Sequence, residues 1–376
     1  MKRAYNILSS IALLLFLVLL LLFGVNTIKA QELETEDDIY STPIDKLLNL
    51  TLDKASVIGL PHPHAKGFFH IKYSRMIMPM TGFQEGTTTL SQDQVFNHPD
   101  NFSGYAPDMM MDMNMFMVMY GLNDLMTLMA MTNYSIIRMD SMVMLMGGSP
   151  MPMPMDPSKG IGDLKLMLNI NAYNRDVTSV LFNIGVAIPT GSIDQQVMTM
   201  MNPRMVNKPY PMQLGSGTWD PKVEVVYLGS TMRSSWGVGL KSVLRMYDNK
   251  HGYHLGNRYQ IMAGAGHNWA KWFATTARLD YVTWGNVRGK DETSIAIQPD
   301  WEQASPNHRA DLRAGTRFEA SAGLVFEVPK GTFKGVAAIF DYRYPIYQNL
   351  RGVGMPIDYH FQVALQWIVG EKHLKD

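Results

Sequence analysis

Residues 311–327 read Asp-Leu-Arg-Ala-Gly-Thr-Arg-Phe-Glu-Ala-Ser-Ala-Gly-Leu-Val-Phe-Glu. Counted in twos, Leu312, Ala314, Thr316, Phe318, Ala320, Ala322, Leu324 and Phe326 fall on one side. Asp311, Arg313, Arg317, Glu319 and Ser321 fall on the other. A helix would scatter these sets around its circumference, whereas a strand separates them onto one apolar and one charged face. The same alternation recurs along the chain. Leu164, Leu166, Leu168 and Ile170 oppose Asp163, Lys165, Asn169 and Asn171, and Trp236, Val238, Leu240, Leu244 and Met246 oppose Lys241 and Arg245. Tyr359, Phe361, Val363, Leu365 and Trp367 oppose His360, Gln362 and Gln366.

Extended outward, this pattern predicts twelve strands, near 67–76, 112–120, 125–138, 163–173, 179–189, 218–228, 234–247, 258–267, 271–284, 310–327, 334–344 and 357–368. Several reach ten residues or more, longer than the usual strand of a soluble sandwich and suited to a tilted membrane strand. Connections alternate in length: 121–124, 174–178, 229–233, 268–270 and 328–333 are short, while 77–111, 139–162, 190–217, 248–257, 285–309 and 345–356 are long. An even strand count with short turns at one end and long loops at the other predicts an all-β fold, a transmembrane antiparallel β-barrel of about 12 strands. A soluble sandwich or propeller would supply alternating strands but not this alternation of loop lengths. Tyr227, Trp236, Trp269, Trp272, Trp284 and Trp367, near strand ends, are expected to form interfacial girdles.

Composition agrees. Only 18% of the 376 residues are charged, and 33 basic residues balance 33 acidic ones, so no cation excess points to a nucleic-acid partner. There are no cysteines, which excludes disulfides, thiolate metal sites and a lipid-modified amino terminus. Lys2 and Arg3 precede an apolar run from Ile11 to Phe23 and a short polar stretch to Ala30, the order of a cleaved signal peptide. That run is too short to span as a helix, and no other stretch reaches eighteen apolar residues. The expected organisation is a signal peptide over 1–30, a periplasmic lead-in or plug over 31–66, and an outer-membrane β-barrel over 67–370 of a Gram-negative cell.

Several blocks then carry a family resemblance: His62-Pro63-His64-Ala65-Lys66-Gly67, Tyr73-Ser74-Arg75-Met76, Met113-Asn114-Met115, and Gly160-Ile161-Gly162-Asp163. Others are Gln213-Leu214-Gly215-Ser216-Gly217-Thr218 and Tyr347-Gln348-Asn349-Leu350. On these the chain resembles the transporter-like outer-membrane family named for the meta-cleavage pathway of phenol degradation. The resemblance implies an outer-membrane barrel that passes small, often hydrophobic molecules, with no catalytic residue and no cofactor. Relatives often interleave histidine in the methionine run where this chain has Asp112 and Asn114.

Three constellations need weighing. Charged residues expected to face the lumen, Lys241, Arg245, Arg278, Asp280, Asp311, Arg313, Arg317, Glu319, Asp341 and Arg343, mix both signs and would either pair across a narrow interior or form a substrate ladder. Of the 31 methionines, 20 lie between Met76 and Met155. Thioethers suit Cu(I) or Ag(I), but methionine is also an apolar filler. If Asp112 and Asn114 face the lumen, then Met109, Met111, Met113, Met115, Met117 and Met119 face lipid. Met151, Met153 and Met155, in an exposed Met-Pro repeat, are the better candidates for a soft metal. His62 and His64 could present two imidazoles to a metal, although two ligands are too few for a closed site and a solvated lead-in is expected. Enzyme signatures are thin: Gly215-Ser216-Gly217 lacks the spacing of a nucleophile elbow. Outer-membrane lipid and a small solute are the expected partners. The sequence thus supports a passive channel or uptake route, with soft-metal binding as the alternative.

Overall fold

A computed structural model describes residues 60–369, apart from 61, 63, 140, 148, 176 and 199–203. The expected signal peptide, the lead-in up to residue 59 and the tail from 370 lie outside the described residues. The wall consists of β1 (Phe69–Thr81), β2 (Asp108–Asn123), β3 (Met126–Arg138), β4 (Leu164–Arg175), β5 (Thr178–Ile188) and β6 (Asp220–Ser230). It continues with β7 (Ser234–Val243), β8 (Arg258–Ala270), β9 (Phe273–Trp284), β10 (Gly315–Glu327), β11 (Val336–Gly354) and β12 (His360–Val369). Each pairs antiparallel with the next. β12 returns to β1, with Phe69 opposite Val369 and Ile77 opposite Phe361, so the sheet closes and leaves no unpaired edge.

One side of the wall is apolar and uncovered. Phe116, Leu128, Phe182, Ile184, Val238, Leu240, Leu279 and Leu365 all point outward and stay exposed. An apolar surface of that extent would be driven to associate in water and is stable against hydrocarbon. Among the described residues no helix is long and apolar enough to cross a membrane. Tyr227, Trp236, Trp269, Trp272 and Trp367 form an outward aromatic rim at the short-turn end. Trp272 and Phe273 both pack on Phe326 there. Trp284 is the exception: its Nε1 donates to the Arg313 carbonyl at 2.6 Å and Arg317 lies over its ring at 5.4 Å, so it belongs to the lumen mouth.

Strand lengths differ from the sequence expectation at the long-loop end. β1 and β2 extend past the expected limits to Thr81 and back to Asp108, and β11 runs for 19 residues through the stretch expected as a loop at 345–356. Conversely, β10 begins at Gly315, so Asp311 and Arg313 are not wall residues: Asp311 pairs with Arg309 at 2.7 Å with its side chain 61% exposed. β7 ends at Val243, and Arg245 lies beyond it, paired with Asp220 at 3.1 Å. The alternation of 311–314 continues the strand pattern, but these residues lead into the strand from the outer cap.

That cap is built from the long loops. Trp301, buried against Tyr210, donates from Nε1 to the Asn207 carbonyl at 3.0 Å, and Asn207 Nδ2 donates to Asp291 at 2.7 Å. Ser103 N donates to the Gln303 carbonyl at 2.9 Å, tying the first long loop to the fifth. The blocks that carry the family resemblance work here as braces. Asp163 accepts from Gly191 N at 3.0 Å and from Ser216 N at 2.9 Å, while the Gln213 side chain bridges Gln195 and Lys208. Gln348 exchanges two hydrogen bonds with Ile357, at 2.8 and 3.0 Å.

Candidate functional site

The inner face of the closed wall is the candidate site, and its chemistry divides by sector. In β1 the inward residues are His70, Lys72, Ser74, Met76, Met78 and Met80, and their partners on β2 are Met119, Met117, Met115, Met113, Met111 and Met109 in that order. Phe116 and Val118, with the opposite parity, are exposed to the outside. The odd-numbered methionines therefore face the lumen. The alternative of lipid-facing methionines is corrected by Asp112, which lies outward and receives two hydrogen bonds from Arg75, at 3.0 and 2.7 Å. Arg75 shares the outward parity of Phe69, Ile71 and Tyr73, so the pair satisfies its charges on the outer face. On β3 and β4, Met129 opposes Met119 and Met167, and Met131 opposes Met117 and Lys165, widening the methionine sector.

Across β9 to β12 the lumen carries a tightly paired charge network. Asp280 is fully buried and accepts from Arg278 Nε at 2.8 Å and Gln260 Nε2 at 2.8 Å. Glu319, 1% exposed, meets Arg317 at 2.7 Å and His360 at 2.9 Å, and Arg343 lies 3.7–3.9 Å from Asp341, Asp280 and Glu319. Carboxylates this deep would be left as uncompensated buried charges without such partners. Between these sectors, β4 to β8 present Lys165, Lys222, Lys241 and Arg258 inward against Glu224 and Asp220. None of these four cations sits within ion-pair distance of a carboxylate among the described residues, unlike those of the β9–β12 network. Of the charged residues expected in the lumen from sequence, the structure thus gathers Arg278, Asp280, Arg317, Glu319, Asp341 and Arg343 into one network, leaves Lys241 in the cationic sector, and removes Asp311 and Arg313 to the cap.

The lead-in enters the lumen at the short-turn end. Lys66 N donates to Asp124 and Gly67 N to the Gly121 carbonyl, anchoring it beside the β2–β3 turn. From there it crosses to the opposite wall, where Leu60 packs on Leu181, Val226, Leu228 and Met262. His62 and His64 are each 4% exposed, which overturns the solvated lead-in expected for them. The chain reverses at Gly67 (φ 80°), with Phe68 N donating to the Ala65 carbonyl, and this brings His64 back onto His70. Sequence reasoning missed His70, because its place beside the other two depends on that reversal.

Met151 and Met153 lie in an extramembranous hairpin, opposite Met144 and Met142. Met151 is 50% exposed, whereas Met155 packs against the cap core, so the three do not form one group. Ser234 Oγ lies 2.9 Å from His267 Nδ1, but among the described residues no carboxylate is bonded to that ring, which packs on Trp269, so the pair lacks the third member of a catalytic triad.

The closed twelve-strand wall, its bare apolar exterior and its polar interior define an outer-membrane β-barrel of the Gram-negative type. No family model and no curated protein matches the chain. Among solved structures it is similar to the COG4313 outer membrane channel from Pseudomonas putida F1, at 10% identity and TM-score 0.54, over 83% of this chain and 98% of that one. The NanC porin (8% identity, TM-score 0.40, 78% and 98% covered) and the translocator domain of the autotransporter NalP from Neisseria meningitidis (11%, 0.44, 84% and 92%) are more distant. At such identities the shared feature is the barrel fold.

Proposed function

We infer that the protein is a passive channel for a small solute that combines an apolar body with a negative group. The carrying observation is the division of the lumen. A methionine sector on β1 to β4 offers soft, adaptable apolar contact, and an adjoining sector offers Lys165, Lys222, Lys241 and Arg258 without carboxylate partners. A solute passing between them can bury its body against thioethers while its charge stays near ammonium groups. The family resemblance, with its small and often hydrophobic solutes, supports the same reading, as does the likeness to the P. putida outer membrane channel. Proteoliposome swelling tests it: benzoate should enter faster than glucose or benzylamine. Equal rates for all three, or no swelling with any, would refute it.

Soft-metal binding at the surface hairpin is a second reading, favoured by the cross-strand pairing of Met151 with Met144 and Met153 with Met142. Replacing Met151, Met153 and Met155 with leucine keeps the bulk and removes the sulfur. An unchanged Cu(I) or Ag(I) stoichiometry would dismiss it.

A further inference from the structure

The three buried imidazoles at the short-turn end of the lumen belong to neither reading above. His62, His64 and His70 each offer a ring nitrogen, and the three nitrogens lie within 4.8 Å of one another. Their ring centroids are 4.7, 5.4 and 5.1 Å apart. His62 Nδ1 lies 3.2 Å from the Leu60 carbonyl, and a hydrogen bond donated there leaves Nε2 as the unprotonated nitrogen. That Nε2 is buried and has no partner among the described residues, whereas His70 also shares a side-chain hydrogen bond with Gln366. His64 is fixed from the backbone, its N donating to Thr127 Oγ1 at 2.9 Å, and its Nε2 shares a hydrogen bond with His70 Nδ1 at 3.1 Å. Buried polar atoms are almost always satisfied, so an orphaned imidazole nitrogen aimed at two further imidazoles points to a ligand that is absent from the polypeptide.

The chemistry around the cluster selects the ligand. Imidazole binds zinc and copper alike. Here the donor set is neutral, no carboxylate joins it, and Lys72 follows His70 on the same inward face. A doubly charged ion would be buried there without compensation, whereas a singly charged soft ion brings half the charge and suits the thioethers alongside. Met119 stands directly opposite His70, and the inward methionines of β2 continue from it up to Met109 at the outer mouth. We propose that His62, His64 and His70 form a binding site for Cu(I) at the inner end of the lumen, reached along this file of thioethers. Occupied, the site cross-links the lead-in to β1. The inference is independent of the solute reading, since it concerns a bound ion and not a flux.

The test uses the full chain in detergent, stripped of metal and kept anaerobic, with Cu(I) titrated in competition with bicinchoninate. The wild type should withhold one more equivalent per chain than His62→Ala/His64→Ala, both of which lie outside the strands. X-ray absorption of the copper-loaded wild type should show nitrogen scatterers that the double variant lacks. His62→Gln is the second variant, and heat-dependent gel mobility verifies that each variant is folded. Equal Cu(I) stoichiometry in wild type and variants, or sulfur-only coordination in the wild type, would overturn the proposal. Zn(II) retained by the wild type and lost in the variants, with Cu(I) unaffected, would overturn the choice of ion.

Discussion

Leu60 of the lead-in seats directly on Gly237 of β7: a Cβ at that glycine would stand 2.7 Å from the leucine Cδ1. The glycine is therefore the notch that lets the lead-in reach the far wall. Burying a leucine contributes about 2–3 kcal/mol, enough to hold the segment across the lumen most of the time. Leu60→Ser should release it, and Gly237→Val should push it out from the other side. Both should raise single-channel conductance in a planar bilayer above the wild type. Unchanged conductance in both variants would mean that the lead-in does not limit the pore.

Selectivity should follow the sector of unpartnered cations. On the inner strand faces Lys72, Lys165, Lys222, Lys241, Arg258, Arg278, Arg317 and Arg343 outnumber Asp220, Glu224, Asp280, Glu319 and Asp341, and the surplus lies on β1 and on β4 to β8. Lys222→Gln/Lys241→Gln removes two cations of this sector and leaves the paired network of β9 to β12 intact. In a KCl gradient the wild type should prefer chloride, and the variant's preference should fall by roughly twofold or more, since a one-signed lining concentrates its counter-ion. A cation-selective wild type would contradict this.

Period-two alternation made the strands legible because an apolar exterior and a polar interior impose it on every wall segment. Phe318, Leu324 and Phe326 against Arg317, Glu319 and Ser321 announce both faces of β10 without any structure. β2 was harder, since methionine is tolerated on either side and the eye goes to Asp112 and Asn114. The deciding signal is that Phe116, Val118 and Tyr120 share the parity of Asp112, as Phe69, Ile71 and Tyr73 share that of Arg75. Two opposite charges facing outward on neighbouring strands can pair with each other, so a polar residue alone does not identify the lumen. Loops hid the rest: Asp311 and Arg313 keep the strand's rhythm while belonging to the cap, and the Leu60–Gly237 contact joins residues far apart in the chain.

Orientation is testable at two glycines of matched character. Gly147, at the tip of the methionine hairpin, has φ 59°, Gly331, in the turn between β10 and β11, has φ 85°, and open space surrounds both. Insertions there should leave the wall intact. Long loops face the exterior in barrels of this kind and short turns the periplasm. A peptide epitope at Gly147 should bind antibody on intact cells, and one at Gly331 only after the outer membrane is permeabilised. The reverse pattern would invert the barrel.

The cap should loosen in acid before the wall does, because of His308. Its ring packs edge-on against Trp301, with centroids 4.7 Å apart, and its Nδ1 pairs with Ser305 Oγ at 2.8 Å. Burial pushes its pKa down from 6.5 to about 3, the nearby Arg313 pushes the same way, and a hydrogen bond to the Ser305 backbone opposes them only in part. The folded cap therefore holds a neutral imidazole, whereas an opened cap would protonate it at about 6.5. Stability from this residue is complete above pH 6.5, falls as the pH drops below that value, and stops falling near pH 3, where the folded form takes up the proton itself. At pH 4.5 the loss is about 2–3 kcal/mol, at 1.36 kcal/mol per unit of pKa. Hydrogen exchange of the 301–313 segment, corrected for intrinsic rate, should lose protection on the order of 100-fold between pH 7.5 and 4.5 while β8 and β9 keep theirs. In His308→Gln most of that pH dependence should disappear. Equal pH dependence in variant and wild type, or a wall that loosens together with the cap, would show that another group governs the acid response.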